Sequence, residues 1–369
     1  MTKWILLIFI ILSTICRGEI SYKLPLLKSS PGLSLSTMTA YRGTLYEAHR
    51  SFNLLKFSSQ LQVSAYDVET HKLLRHAVID IPRVHGARAS EGFFVSPDGG
   101  TLVYAEIHEP NLVLLLSTKD LSEVGHTGVL PFTTADSYRL FAGFDRDGLL
   151  SFASSRFDKL RFARMSPINF EILWEKTGPS QPNAEAIIWS PTYGLTWLSS
   201  LSEEWTQYRE QGESTGLKLS AAGPYRIGYG AAIIGDSTFL AYFGNMSDLG
   251  TVVSYRNGHY SELRLNCTPH PYSIGNEESY FGTICTTHPD REPERGGGKI
   301  LTSEFLLLNL EGLAIAWRHP MDFLSIVNSS DPDAGYQWGK PLLLRVGSKL
   351  LIIAPSRLPS LTVFQVDVP

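Results

Sequence analysis

The feature that most restricts this chain is a hairpin that keeps returning. Downstream of residue 20 helical periodicity is almost absent, and short runs of Val, Ile, Leu, Phe and Tyr alternate with Gly, Pro, Asn, Asp and Ser turns. Runs of that length cross a sheet but are too short for stable helices, so the chain is read as all-β. The clearest unit is EGFFVSPDGGTLVYAEIHEPNLVLLLSTKDLSEVGHTG, residues 91–128: strand, Ser-Pro-Asp-Gly-Gly turn, strand, polar loop, strand, polar turn. Pro97 and Asp98 suit the turn, and both Gly99 and Gly100 are expected to take the positive φ that closes it. Further hairpins turn at residues 145–148, 190–194, 235–237, 276–279 and 347–349. A strand pair turns at Asn257-Gly258, and TMTAYRGTLYEAHR opens the series. The units return about every 40 to 60 residues, about seven in all.

The segment SPDGGTLVY, residues 96–104, resembles the hairpin of YVTN-type and related WD40-like β-propeller repeats, in which a blade begins as strand, SPDG-like turn, strand. The match is good over one blade and a pattern match elsewhere. It implies a seven-bladed β-propeller with residues 19–369 as one domain, and it implies a fold rather than an activity. The last unit is short, so a strand near residues 21–28 is expected to complete it. An array of two-sheet sandwiches is the alternative architecture.

Composition narrows the function classes. A chain of 369 residues with 43% hydrophobic content is long enough for a sizeable core. A net charge of -4 without long Lys or Arg runs lacks the electrostatic footprint of a nucleic-acid binder. The first residues, MTKWILLIFIILSTICRGEIS, combine Lys3, an apolar run and small residues near Gly18, the layout of a cleaved signal peptide over residues 1–18. The apolar stretch is shorter than the roughly 20 residues a spanning helix needs, and nothing downstream is long enough either. The expectation is a secreted or periplasmic protein with no membrane span after cleavage. Asn245, Asn266 and Asn328 head Asn-x-Ser/Thr sequences, which matter only in a eukaryotic secretory pathway.

Removal of the leader leaves two cysteines, Cys267 and Cys285, each followed by Thr-x-His-Pro. Three readings compete. A disulfide across 18 residues fits an oxidising compartment. A Cys2His2 zinc site with His270 and His288 has suitable ligand types but an uncommon spacing. Two reduced, partly buried cysteines form the third reading. Export favours the disulfide.

Other motifs are weaker. GDS at 235–237 echoes an esterase nucleophile block but lies in a hairpin turn, with no Asp-x-x-His after it. DRDG and DPDAG, at 145–148 and 331–335, start like calcium loops but lack the later ligands. No metal, haem, quinone or dinucleotide motif is found, so no cofactor is called for. Positions say more. With strands A to D running outward from a propeller channel, the A strands start on the face that carries the D-to-A and B-to-C loops. Near those starts stand His85, Arg88, Glu91, Tyr138, Arg139, Glu185, Arg226, Tyr229, His270, Tyr272, Tyr336 and Trp338. Aromatic and charged groups gathered at a channel mouth would form a recessed site for a protein, peptide or glycan ligand. The same residues could also merely hydrate the channel. The expected function is therefore an exported binding module. The alternative is a hydrolase or lyase acting on a glycan or peptide, with Glu91 and Glu185 as acid and base.

Overall fold

The computed structural model describes residues 20–25, 36–53, 58–81, 92–106, 112–127, 139–144, 148–156, 159–177, 184–190, 194–201, 204–209, 214–220, 227–234, 238–244, 250–269, 274–277, 279–287, 302–321, 342–355 and 360–367. Every regular element among them is a strand, and the strands fall into seven antiparallel sheets. Sheet 1 is β2 (Ser36–Tyr41), β3 (Thr44–Asn53), β4 (Ser58–Asp67) and β5 (Leu73–Ile81), and sheet 2 is β6 (Gly92–Val95), β7 (Thr101–Glu106), β8 (Leu112–Ser117) and β9 (Glu123–Thr127). Sheet 3 is β10 (Arg139–Phe144), β11 (Leu150–Arg156), β12 (Lys159–Met165) and β13 (Ile172–Thr177). Sheet 4 is β14 (Ala184–Ser190), β15 (Gly194–Leu201), β16 (Glu204–Arg209) and β17 (Ser214–Ser220). Sheet 5 is β18 (Ile227–Ile234), β19 (Thr238–Gly244), β20 (Gly250–Arg256) and β21 (His259–Leu265). In sheet 6 two short strands, β22 (Thr268–Pro269) and β23 (Ile274–Glu277), share the inner edge of β24 (Tyr280–Thr287), followed by β25 (Thr302–Asn309) and β26 (Ala314–Met321).

Sheet 7 joins the two ends of the chain. It is β27 (Leu342–Val346), β28 (Lys349–Pro355) and β29 (Ser360–Asp367), and its outer strand is β1 (Ile20–Pro25), paired with β29 from Ile20 opposite Gln365 to Pro25 opposite Ser360. The strand expected near residues 21–28 is thus in place. First strands touch round the ring: β2 with β6, β6 with β10, β10 with β14, β14 with β18, β23 with β27, and β27 with β2. Radial sheets joined through their first strands are the propeller arrangement, and they do not form stacked sandwiches.

Sheets 1, 2, 6 and 7 are each covered on both faces, which explains the apolar runs. Leu112 through Leu116 of β8 are all buried, because alternate residues face opposite neighbours. Leu112, Leu114 and Leu116 pack with Tyr46, Ala48, Leu61 and Val63 of sheet 1. Val113 and Leu115 pack with Leu150, Ala163 and Met165 of sheet 3. Burial of each such side chain contributes about 1.5–3 kcal/mol.

The Ser-Pro-Asp-Gly-Gly hairpin is a closed hydrogen-bond unit. Ser96 Oγ donates to Asp98 Oδ1, the Gly100 amide donates to the same oxygen at 3.0 Å, and the Thr101 amide donates to Ser96 Oγ at 2.9 Å. Gly99 has φ of 78° and lies against Tyr41, whose ring atom Cε1 a Cβ there would meet at 2.1 Å. Gly100 is not at positive φ, so one left-handed residue closes the turn where two were expected. Asp98 accounts for the difference, because its carboxylate holds the Gly100 amide in place of a second left-handed residue. Arg42-Gly43 and Asn257-Gly258 each have two consecutive positive φ values, the primed-turn conformation of a two-residue hairpin.

Between third and fourth strands a second unit recurs that the sequence reading missed. It starts at Asp67, Ser117, Ser166 and Asn309, whose side chains accept from the amides of Thr70, Lys119, Ile168 and Glu311. Four residues on, His71, Leu121, Phe170 and Leu313 have positive φ. Seven residues on, the outer strand bulges at Leu74, Val124, Leu173 and Ala316, the residues skipped in the strand register. A bulge near an exposed edge twists it and discourages edge-to-edge pairing. The polar starter and the later Thr70, Asp120 or Asn169 were the available signals, but no residue type holds one position in all four units.

Candidate functional site

Successive strands of a sheet are antiparallel, so each first strand begins on the face where the second ends, the mouth face. Three of the proposed site residues fall on described backbone there. Arg139 is the first residue of β10, Glu185 the second of β14 and Tyr229 the third of β18. These are first strands of three consecutive sheets, with β10 touching β14 and β14 touching β18. His85, Arg88, Glu91, Tyr138, Arg226, His270, Tyr272, Tyr336 and Trp338 lie outside the described residues.

The cysteine question has a definite answer. Cys267 and Cys285 form a disulfide with Cα atoms 5.5 Å apart. Oxidised sulfurs are not thiolate ligands, which removes the zinc reading and the reduced-thiol reading together. Cys267 follows β21 by two residues. Cys285 lies within β24, opposite Pro269. The strand runs on because Thr286 and Thr287 still pair with Ser303 and Thr302 of β25. Both cysteines are buried with Val252 and Leu265 of sheet 5 and Phe281, Leu306 and Leu308 of sheet 6. The bond therefore belongs to the seam between sheets 5 and 6. His270 and His288 lie outside the described residues.

A second polar cluster was not anticipated. Glu47 and His49, two apart on β3, are 0% and 3% exposed, and Glu47 Oε1 is 3.2 Å from His49 Nδ1. Glu47 Oε2 and His49 Nε2 have no hydrogen-bond partner. Across the strands, Ser64 stands opposite both Glu47 and His76, and Ser64 Oγ is 3.1 Å from His76 Nδ1. Burial holds the His76 pKa below the usual imidazole value, and neighbouring His49 lowers it further, while Glu47 opposes. Glu47 and His49 share the parity of Leu45, which packs against Leu351 and Ile353 of sheet 7, so the cluster faces the seam where the ring closes. A Glu at one alternate position of a buried strand was visible in TLYEAH, but period alone does not separate it from a solvent-facing residue.

Among the described residues no group of three His, Cys, Asp or Glu side chains is arranged to hold a metal. No helix among them is long and apolar enough to cross a membrane.

No family model matches the chain, and no curated protein matches it in sequence. Solved structures do match. A chain of the mitotic checkpoint complex aligns with TM-score 0.54 at 10% identity, covering 95% of this chain and 95% of that one. The β-propeller domain of Cps50 (Swd1) from Myceliophteria thermophila aligns with TM-score 0.52 at 11% identity over 95% of this chain and 100% of that one. The β-propeller domain of the trilobed protease from Pyrococcus furiosus, which has an open velcro topology, gives TM-score 0.50 at 10% identity, over 91% and 94%. At such identities the likeness defines the fold alone. The protein is a β-propeller.

Proposed function

We propose that this protein is an exported, seven-bladed β-propeller binding module whose recognition site is the mouth face, and whose ligand is a protein, peptide or glycan. The observation that carries the reading is the placement of Arg139, Glu185 and Tyr229 at the starts of three adjoining first strands. An arginine, a glutamate and a tyrosine on adjoining first strands are the residue types a polar recognition site would use. Solved propellers of the same fold include a component of the mitotic checkpoint complex, an assembly of proteins, which supports a protein partner. The buried disulfide supports export, since such bonds persist in oxidising compartments. The hydrolase or lyase reading needs a second carboxylate beside Glu185, and Glu91 lies outside the described residues.

The test is binding of the purified chain to glycan and peptide arrays, with R139A/E185A as the variant. Selective binding that the variant loses, at an unchanged melting temperature, is the expected result. Absence of selective binding, or a signal the variant keeps, overturns the site.

A further inference from the structure

We propose that Asn266 carries an N-linked glycan, which makes the mouth face beside the seam of sheets 5 and 6 a carbohydrate-shielded sector. The inference rests on the export reading above, with export running through a eukaryotic secretory pathway. Asn266 heads the sequence Asn-Cys-Thr and is exposed in a bend between β21 and β22, while Leu265 and Cys267 on either side of it are buried. Alternation at that bend turns the Asn266 amide outward, where a bulky group meets no packed neighbour. The last strand of sheet 5 ends at Leu265 and the first strand of sheet 6 starts at Thr268, so Asn266 sits on the mouth face.

Asn245 and Asn328, which head the other two such sequences, lie outside the described residues.

In the transfer, Asn266 Nδ2 forms a bond to C1 of an oligosaccharide carried on a lipid pyrophosphate. The bond from C1 to the pyrophosphate oxygen breaks, the lipid pyrophosphate leaves with the electron pair, and Nδ2 loses one proton. Thr268 provides the hydroxyl residue that the acceptor sequence requires. A hydrated glycan at this position admits a small ligand to the mouth and narrows the approach of a protein partner at the seam of sheets 5 and 6.

One tryptic peptide, residues 265–291, contains Asn266, Cys267 and Cys285 and no other acceptor sequence. The full chain with its own leader is expressed in cultured insect cells, alongside N266Q, and medium and cell fractions are digested after peptide-N-glycosidase treatment in heavy-oxygen water. Exported protein with oxidised cysteines, heavy-oxygen Asp at position 266 in most of the peptide, and one fewer glycan step on a gel for N266Q is the expected result. Exported protein with oxidised cysteines and unconverted Asn266 overturns the glycan while leaving export intact. Protein retained in the cells with reduced cysteines and unconverted Asn266 overturns both.

Discussion

Sheet 1 is joined to its two neighbours by unlike seams. Toward sheet 2 the join is apolar: Tyr46, Ala48, Leu61, Val63 and Ala65 meet Leu102, Tyr104, Leu112, Leu114 and the left-handed Leu121. Backbone ties reinforce it, with Arg75 Nη1 donating to the Thr118 carbonyl at 2.6 Å and Tyr41 Oη to the Pro97 carbonyl at 3.3 Å. Toward sheet 7, Met38, Leu45, Tyr66 and Val68 meet Leu351, Ile353 and Val363. Beyond them the seam turns polar at Glu47 and His49. Glu47 follows Leu45 by two residues, as Tyr104 follows Leu102 in sheet 2 and Ile352 follows Leu350 in sheet 7, each pair packing on the preceding sheet. The left-handed residue that is buried as Leu121 in sheet 2 and Leu313 in sheet 6 is the exposed His71 in sheet 1. Apolar seams add stability without discriminating partners, whereas a buried acid and imidazole tolerate few alternative arrangements. The polar seam is the one that must find its partner across the whole chain.

If the closing seam depends on β1, its removal should have the largest effect. Deleting residues 1–25 strips the outer strand from sheet 7 and leaves the β29 edge unpaired. Hydrogen exchange should then show β28 and β29 amides open while those of β7 and β8 stay protected. An unchanged urea midpoint and unchanged exchange in β29 would mean that the ring closes without β1. On the apolar side, Leu61→Ala should lower stability by about 2–5 kcal/mol in urea titrations, the range for a fully buried leucine. A cost well under that range would show that the seam collapses around the void.

How much of this was legible follows the same division. Turns that use residues with special backbone freedom could be read directly: Asn257-Gly258 and the Ser96 to Gly100 hairpin stand where the sequence placed them, apart from the role of Gly100. The disulfide was legible because only two cysteines lie downstream of residue 18, and each is followed by the same Thr-x-His-Pro. The αL-and-bulge unit was not, since Leu121, Phe170 and Leu313 are apolar residues in a conformation normally left to Gly or Asn. Their burial against the preceding sheet offsets that strain, and burial is not visible locally. Glu47 and His49 escaped for the same reason. Of the proposed mouth, the backbone of Arg139, Glu185 and Tyr229 stands at first-strand starts, a position that follows from counting hairpins.

Sheet 6 allows the comparison to be sharpened with a covalent bond. Its inner edge is divided between β22 and β23, and Cys267–Cys285 ties the first part to β24. C267S/C285S should cost about 3 kcal/mol, the value for a loop of this size. The wild type measured in strong reductant should match the variant; a wild type that keeps its full stability when reduced would make the bond incidental. At the closing seam, Glu47→Leu leaves His49 Nδ1 without its hydrogen-bond partner and should cost about 1–3 kcal/mol. Adding His49→Leu should recover most of that loss, because an apolar pair would then resemble the seam to sheet 2. If the double variant is worse than the single one, the couple stabilises this seam and does more than specify it.

The smallest expected effect is the pH dependence, and it separates the two seams by window. His76 has its pKa held below the usual imidazole value, first by burial and then by His49. As pH falls through the ordinary imidazole range, the unfolded chain takes up its proton before the folded one does. Stability attributable to His76 therefore declines through that range and levels off below the folded pKa. Asp98, at the turn beside sheet 1, is shifted down by hydrogen bonds from Ser96 and the Gly100 amide, and Asp67 and Asp120 are shifted down by their own turn donors. Their contribution is complete above the ordinary carboxylate range and is lost only as pH falls through the lowered values. Urea midpoints against pH should show two separate declines, the upper one removed by His76→Gln and the lower one reduced by Asp98→Asn. If His76→Gln leaves the upper decline unchanged, the closing seam does not sense protons through this residue, and the contrast between the seams is one of packing alone.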